Sequence, residues 1–139
     1  MKDIVCAYDS STSADKAFDF ALDLAVHYGA TLRVLSVAQP PEPPSMVETR
    51  EMLEEYEAQY RESFSALEER ARGRGVEPHF LVRAGHPAEQ IVRYAEEVEA
   101  DVIILGHRGQ SRSFVDRWLV GSISKRVLTY AHCTVIVVR

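Results

Sequence analysis

The stretch VIILGHRG, residues 102–109, decides the fold. Its four apolar residues, Val102 to Leu105, predict a strand buried on both faces, as in parallel sheets covered by helices. The strand ends on Gly106, and Gly109 follows three residues later. A glycine at such a strand end lets backbone amides approach a ligand where a Cβ atom would block it. The stretch therefore indicates a parallel sheet and a loop suited to binding at its edge.

Strands and helices alternate on both sides of this stretch. Helical segments with apolar residues every three or four positions separate four further predicted strands, at 4–8, 32–37, 77–82 and 134–138. This alternation is typical of a five-stranded parallel, doubly wound α/β sheet, Rossmann-like, with helices on both faces. Right-handed crossovers favour the strand order 3-2-1-4-5. In that order Asp9 and Gly106, which follow strands one and four, open onto the same crevice.

Length and charge narrow the function classes. A chain of 139 residues fits one domain, predicted over residues 1–139. Its net charge of −5 disfavours nucleic acid and anionic lipid as partners, so local donors must hold any anionic ligand. The chain enters an apolar strand without a signal-peptide core, and no apolar run reaches the ~18 residues of a membrane span. These features predict a cytoplasmic protein.

A second glycine pattern points to an anion. Gly121-Ser122 opens the last predicted helix, where free N–H groups and the positive end of the helix dipole suit a phosphate. Together with Gly106 and Gly109 it is interpreted as a phosphate cradle. The alternative is a tight strand-to-helix turn without a ligand. Arg108, between the first two glycines, either adds charge to a phosphate site or is an exposed loop arginine.

Other motifs give no competing site. A dinucleotide fingerprint after the first strand and a P-loop lysine motif are both missing from the sequence. The five histidines lack the paired spacing of a zinc site. Cys6 and Cys133 are predicted as small buried hydrophobes, and Tyr56, Tyr60 and Phe64 as core residues of a long helix. No catalytic residue or metal ligand is assigned.

The chain resembles the universal stress protein family over nearly its whole length. Three segments carry the resemblance: Ile4 to Ser11, Ala84 to Pro87 with Ala100 to Gly106, and the block Gly106-x-x-Gly109 followed by Gly121-Ser122. The resemblance implies a homodimeric α/β domain, paired through the last strand, Thr134 to Val138.

In the ATP-binding branch of that family, the matching residues hold the nucleotide. The resemblance implies that glycines and a serine hold the phosphates, here Gly106, Gly109, Gly121 and Ser122. It places Asp9 and Val37 at the adenine and ribose, and ATP with Mg²⁺ is the expected cofactor. The function implied is a dimeric stress sensor or adaptor, with an unidentified protein partner. Hydrolysis is expected to be slow at most, because no residue is a compelling base for water.

Two departures from the family pattern leave alternatives open. The ATP-binding branch usually has nine residues between its second and third glycines, whereas residues 110–120 make eleven here. A glycine often follows the family aspartate, whereas this chain has Ser10. The alternatives are a nucleotide-free dimeric interaction module of the same family and a slow ATPase.

Overall fold

The computed structural model describes residues 1–39, 46–107 and 121–139, with only the backbone for residues 46–49. None of the helices in these ranges is both long and apolar enough to cross a bilayer. Strands alternate with helices in the order β1 Asp3–Ala7, α1 Thr12–Tyr28, β2 Thr31–Ala38, α2 Met46–Arg72, β3 His79–Ala84, α3 Pro87–Glu97, β4 Val102–Gly106, α4 Ser122–Tyr130 and β5 Thr134–Val138.

The strands form one parallel sheet in the order β3-β2-β1-β4-β5, which confirms the predicted topology. β1 lies between β2 and β4, with Cys6 opposite Val34 on one side and Ile104 on the other. β1 and β4 are neighbours in the sheet, and the winding reverses between them. A crevice therefore opens between their carboxyl ends, where ligands of such sheets bind.

Each face of the sheet has its own helical layer. Ile4 and Cys6 pack in a core with α1 and α2, whereas Val5 packs on the other face with Ile91 of α3 and Val127 of α4. Successive side chains of a strand point to opposite faces, so a strand covered on both sides must be apolar throughout. This requirement explains the continuous apolar run of β4.

Helices α1 and α2 are joined by a ladder of ion pairs. Asp15, Asp19 and Asp23 recur every four residues on α1, and the same spacing separates Arg70 of α2 from Arg74 in the turn that follows α2. The Arg70 guanidinium lies 2.6 Å from Asp19 and 3.5 Å from Asp15, and that of Arg74 lies 2.9 Å from Asp23. Exposed ion pairs contribute little stability each. Their matched spacing fixes the register of α2 along α1.

Some predictions about bounds and burial were wrong. β3 starts at His79 rather than at residue 77, because Pro78 lacks the N–H that a paired strand residue donates. Cys133 is only half-buried, because it directly precedes β5, which lies at the edge of the sheet. Cys6 is fully buried as predicted, and burial raises the pKa of its thiol to about 12.

The carboxylate of Asp101 ties β4 to the start of β1. Its Oδ2 accepts hydrogen bonds from the backbone N–H groups of Lys2 at 2.6 Å and Asp3 at 2.9 Å. These bonds stabilise the charged form and hold the pKa of Asp101 below its ordinary value of 3.8. A carboxyl with a lowered pKa adds stability above its unfolded-state pKa, and that stability is lost as pH falls through the folded-state pKa.

We therefore expect Asp101→Asn to be less stable than the wild type at neutral pH. Asn keeps an oxygen acceptor for the two amides but has no charge. The difference in unfolding free energy between the two proteins should shrink as pH falls below 3.8, because Asp101 is protonated first in the unfolded chain and, at lower pH, in the folded protein. Urea unfolding at a series of pH values measures it. A difference that stays constant into acid would refute this role of the charge.

Candidate functional site

A cleft lies at the carboxyl ends of β1 and β4, where the sheet reverses its winding. It encloses about 560 Å³ of empty space, its open mouth included. The residues that line it include five apolar ones, Leu35, Val37, Ile91, Leu105 and Ile123, and the polar residues Asp9, Ser11 and Ser124. An apolar cleft with a few convergent polar groups is the usual form of a small-molecule site.

The turn from β1 into α1 presents Asp9 at this cleft. The Asp9 Oδ1 accepts a hydrogen bond from the Ser11 N–H at 2.9 Å, and the Ser11 hydroxyl caps α1 by accepting from the Ala14 N–H at 3.1 Å. Ser10 between them has φ 67°, in the left-handed region where glycine is favoured. This backbone conformation accounts for the glycine that often follows the aspartate in the family that the chain resembles.

Hydrogen bonds to two elements, β2 and α1, fix Tyr8 directly after the end of β1. The Tyr8 N–H donates to the Leu35 carbonyl at 2.9 Å, and the Tyr8 carbonyl accepts from the buried Ser36 hydroxyl at 2.6 Å. The Tyr8 hydroxyl donates to Asp15 at 2.8 Å. Burial, and after it the bond to Asp15, raises the pKa of Tyr8, so the phenol remains protonated. The sequence analysis missed Ser36, although a serine within an apolar strand is a signal for such a bond.

The structure gives Gly106 a packing role. A Cβ atom at this position would lie 2.0 Å from the Ser13 Oγ and 2.8 Å from the Ser13 carbonyl carbon, because the first turn of α1 rests on the end of β4. The Gly106 carbonyl accepts a hydrogen bond from the Ser124 hydroxyl of α4 at 2.8 Å. The starts of two helices therefore meet at one residue that has no side chain.

The start of α4 provides N–H donors that have no acceptor among the residues that the structure describes. The Gly121 N–H donates to the His107 carbonyl at 2.6 Å, so this amide is engaged within the protein. The N–H groups of Ser122, Ile123 and Ser124 form the first turn and have no acceptor one turn earlier in the helix. No acidic residue lies in that turn, so the positive end of the helix is not neutralised there.

The predicted site residues divide into three groups. Asp9, Val37 and Gly106 line the cleft. Gly121 and Ser122 lie at the start of α4, directly before the lining residues Ile123 and Ser124. Arg108 and Gly109 lie outside the described residues.

The prediction of core positions on α2 was wrong for Tyr56, whereas Tyr60 and Phe64 are partly buried and pack against the core. Tyr56 and Tyr60 are half-buried, and with Asp9, Ser10 and Gln59 they line a second cavity on the α2 side of the same turn. Helical spacing showed correctly that they share a face of α2. It could not show that this face meets the turn after β1.

Comparison of the sequence with known proteins identifies its relatives. A model described as the universal stress protein family matches residues 1–139. A universal stress protein of Methanocaldococcus jannaschii is 31% identical over 144 residues, covering 99% of this chain and 82% of that protein. One from Methanothermobacter thermautotrophicus is 46% identical over 59 residues, which cover 42% of this chain and 38% of that protein.

Solved structures share the fold. The universal stress protein UspA from Lactobacillus plantarum has a TM-score of 0.80 and 27% identity, covering 99% of this chain and 97% of that one. The universal stress protein from Archaeoglobus fulgidus in complex with dAMP has a TM-score of 0.67 and 23% identity. The match covers 100% of this chain and 98% of that one. A universal stress protein in complex with cAMP has a TM-score of 0.69 and 22% identity. The match covers 99% of this chain and 97% of that one.

The close packing of Ser13 against Gly106 predicts that a larger residue at position 106 destabilises the protein. Gly106→Ala should lower the free energy of unfolding by about 2–3 kcal/mol, because the new methyl group forces α1 away from β4. Gly73→Ala is the matched control, since its Cβ would meet the nearest atoms at ordinary distances of 3.5 and 3.8 Å. Urea unfolding measures both. Equal stability of the two variants would show that Gly106 is not constrained by packing.

Proposed function

The chain belongs to the universal stress protein family, and from that premise we propose that it binds an adenine nucleotide in the cleft at the ends of β1 and β4. The observation that carries the proposal is the cleft itself. Apolar side chains, the Asp9 carboxylate and residues from the first turn of α4 line it together. A planar base, a sugar and a phosphate chain require these three kinds of group.

The end of β2 supports recognition of the base. Ala7 and Leu35 are the last paired residues of β1 and β2. The Leu35 carbonyl faces β1 and accepts a hydrogen bond from the Tyr8 N–H. Backbone groups alternate in direction along a strand, so the N–H and C=O of Val37 face the same side as those of Leu35. They lie beyond the last pair, at the cleft, where a donor and an acceptor suit the hydrogen-bonding edge of adenine.

The start of α4 supports recognition of phosphate. The amides of its first turn and the exposed Ser122 hydroxyl are hydrogen-bond donors next to the cleft. The net charge of −5 means that the protein as a whole does not attract an anion, so these local donors must do so. ATP with Mg²⁺ is the ligand we propose, and Asp9 would face the ribose.

Nucleotide complexes of other family members add support. Structures of universal stress proteins hold cAMP in one case and dAMP in another, and both have the fold of this chain. Both ligands are adenine nucleotides, so an adenine nucleotide is the ligand class we infer here. The proposed role is a nucleotide-dependent sensor or adaptor in the cytoplasm, with ATP hydrolysis slow at most.

One observation favours a second candidate function. The Gly121 amide, which the family pattern assigns to phosphate, donates to His107 instead, and the preceding segment of residues 110–120 is longer than is usual in the ATP-binding branch. A nucleotide-free dimeric interaction module of the same family would need no donor at this position. Direct binding measurements separate the two functions.

We expect calorimetry with Mg²⁺ present to show saturable binding whose affinity rises from adenosine to AMP to ATP, because each phosphate adds bonds at α4. Ser122→Ala should weaken ATP binding about tenfold, as expected for a hydroxyl bonded to a charged group, and leave adenosine binding unchanged. Thr129→Ala, which removes a hydroxyl at the other end of α4, is the matched control. Absence of binding, together with no nucleotide released from denatured protein, would favour the nucleotide-free module.

A homodimer through β5 is the assembly we propose. β5 is an edge strand made of β-branched residues, and Val135 to Val138 are half-buried on both faces of the sheet. The other edge, β3, carries His79 and Arg83, charged or polar groups of the kind that protect an edge from pairing. Helix α4 contacts β5, and its Leu128 adds an apolar side chain that is 49% exposed.

Leu128→Glu should therefore weaken dimerisation by about tenfold or more, because burying a leucine gains ~1.5–3 kcal/mol and a buried carboxylate costs more than that. Tyr130→Glu is the matched control, since Tyr130 is exposed on the α4 flank that faces α3. Light scattering after size-exclusion chromatography over a dilution series measures both. A monomeric wild type, or equal loss in both variants, would refute a dimer through β5.

A further inference from the structure

The second cavity at Asp9 is separate from the proposed nucleotide cleft and has different chemistry. It lies between the turn after β1 and the middle of α2, and it encloses about 510 Å³ of empty space, its open mouth included. Five residues line it: Asp9, Ser10, Tyr56, Gln59 and Tyr60. Asp9 is the only one that also lines the nucleotide cleft.

Oxygen acceptors dominate this lining. Asp9 contributes a carboxylate, Ser10 a hydroxyl, Gln59 an amide oxygen, and the two tyrosines contribute phenol oxygens. The tyrosine rings are held in place by stacking: Tyr56 on Tyr60 at 6.1 Å and Tyr60 on Phe64 at 5.4 Å between ring centroids. The wall is therefore preorganised by the stacked rings.

The charge of the cavity is negative. Only Oδ1 of Asp9 has a hydrogen bond among those of the described residues, from the Ser11 N–H. Within the same residues, Asp9 takes part in no ion pair. Burial, and after it the charge of Asp9, raises the pKa of Tyr60, so the field of the carboxylate reaches across the cavity. A ligand here must supply hydrogen-bond donors and positive charge.

We propose that this cavity binds a compact organic cation, a primary ammonium or guanidinium group on a short aliphatic chain, with Asp9, Tyr56 and Gln59 as acceptors. A metal ion fits less well, because the described residues contain no cluster of three metal-ligating side chains. The cation site does not depend on the proposed nucleotide, since four of its five lining residues lie outside the nucleotide cleft.

The test titrates nucleotide-free protein with putrescine and with agmatine, followed by amide shifts in ¹⁵N-labelled protein. 1,4-Butanediol, uncharged and of the same chain length as putrescine, is the control ligand. We expect saturable shifts at residues 9–10 and 56–60 with both cations and none with the diol. Nα-acetyl-lysinamide carries the same ammonium group on a lysine side chain, as a partner protein would present it. Tighter binding of this probe than of putrescine would identify a protein side chain as the source.

Variants distinguish binding of the cations in this cavity from their general attraction to an acidic protein. Gln59→Ala and Tyr56→Phe should each weaken binding of the cations about tenfold, as expected for one hydrogen bond to a charged group. Asp9→Asn should weaken it by more than about tenfold and keep an oxygen acceptor for the Ser11 amide. Glu62→Gln, the same loss of charge on the exposed face of α2, is the matched control and should change nothing.

Three results would overturn the proposal: no saturable shift with either cation, equal losses in Asp9→Asn and Glu62→Gln, or tighter saturation by MgCl₂ alone. Nucleotide binding is measured in parallel with Gln59→Ala and Tyr56→Phe, neither of which touches the nucleotide cleft. Both variants should bind ATP like the wild type. Absence of cation binding would therefore not contradict the nucleotide proposal. Absence of ATP binding would not affect the interpretation of the cation titrations.

Discussion

The architecture of the site depends on the close approach of α1 to the end of β4. The first turn of α1, at Ser13, occupies the space that a side chain of Gly106 would need. From the opposite face of the sheet, Ser124 of α4 donates a hydrogen bond to the carbonyl of the same residue. Two helix N-termini are thereby drawn to one point, and their dipoles add positive potential at the crevice. A side chain at position 106 would separate them.

The negative charge of Asp9 offsets this positive potential. Asp9 lines both the cleft and the second cavity. On the side of α4 its carboxylate shares the cleft with apolar side chains and with the amides of a helix start. On the side of α2 it shares a cavity with Tyr56, Gln59 and Tyr60, which are acceptors. The first side suits the anionic ligand that we propose, and the second side suits the proposed cation. The turn after β1 is therefore an electrostatic boundary, and the Asx bond from Ser11 to Asp9 keeps it in place.

The sequence predicted the strand order because each element had a clear period and crossovers are right-handed. It also placed Asp9 and Val37 at strand ends, and both line the cleft. What it could not predict were contacts between elements far apart in the chain. Helical spacing put Tyr56 on one face of α2 without showing what that face meets. A glycine at position 106 suggested access for a ligand, whereas the structure shows that it is required by Ser13.

The longer segment between Gly109 and Gly121 bears less on the phosphate site than its length suggests. Its end is anchored, because the Gly121 N–H donates to the His107 carbonyl and the His107 N–H donates to the Val138 carbonyl of β5. These bonds extend the β4–β5 pairing and set where α4 begins. The donors of Ser122 to Ser124 are thus positioned by the sheet and by the Ser124 bond to Gly106, not by the length of the segment before them. Two additional residues therefore leave the helical half of an anion site intact.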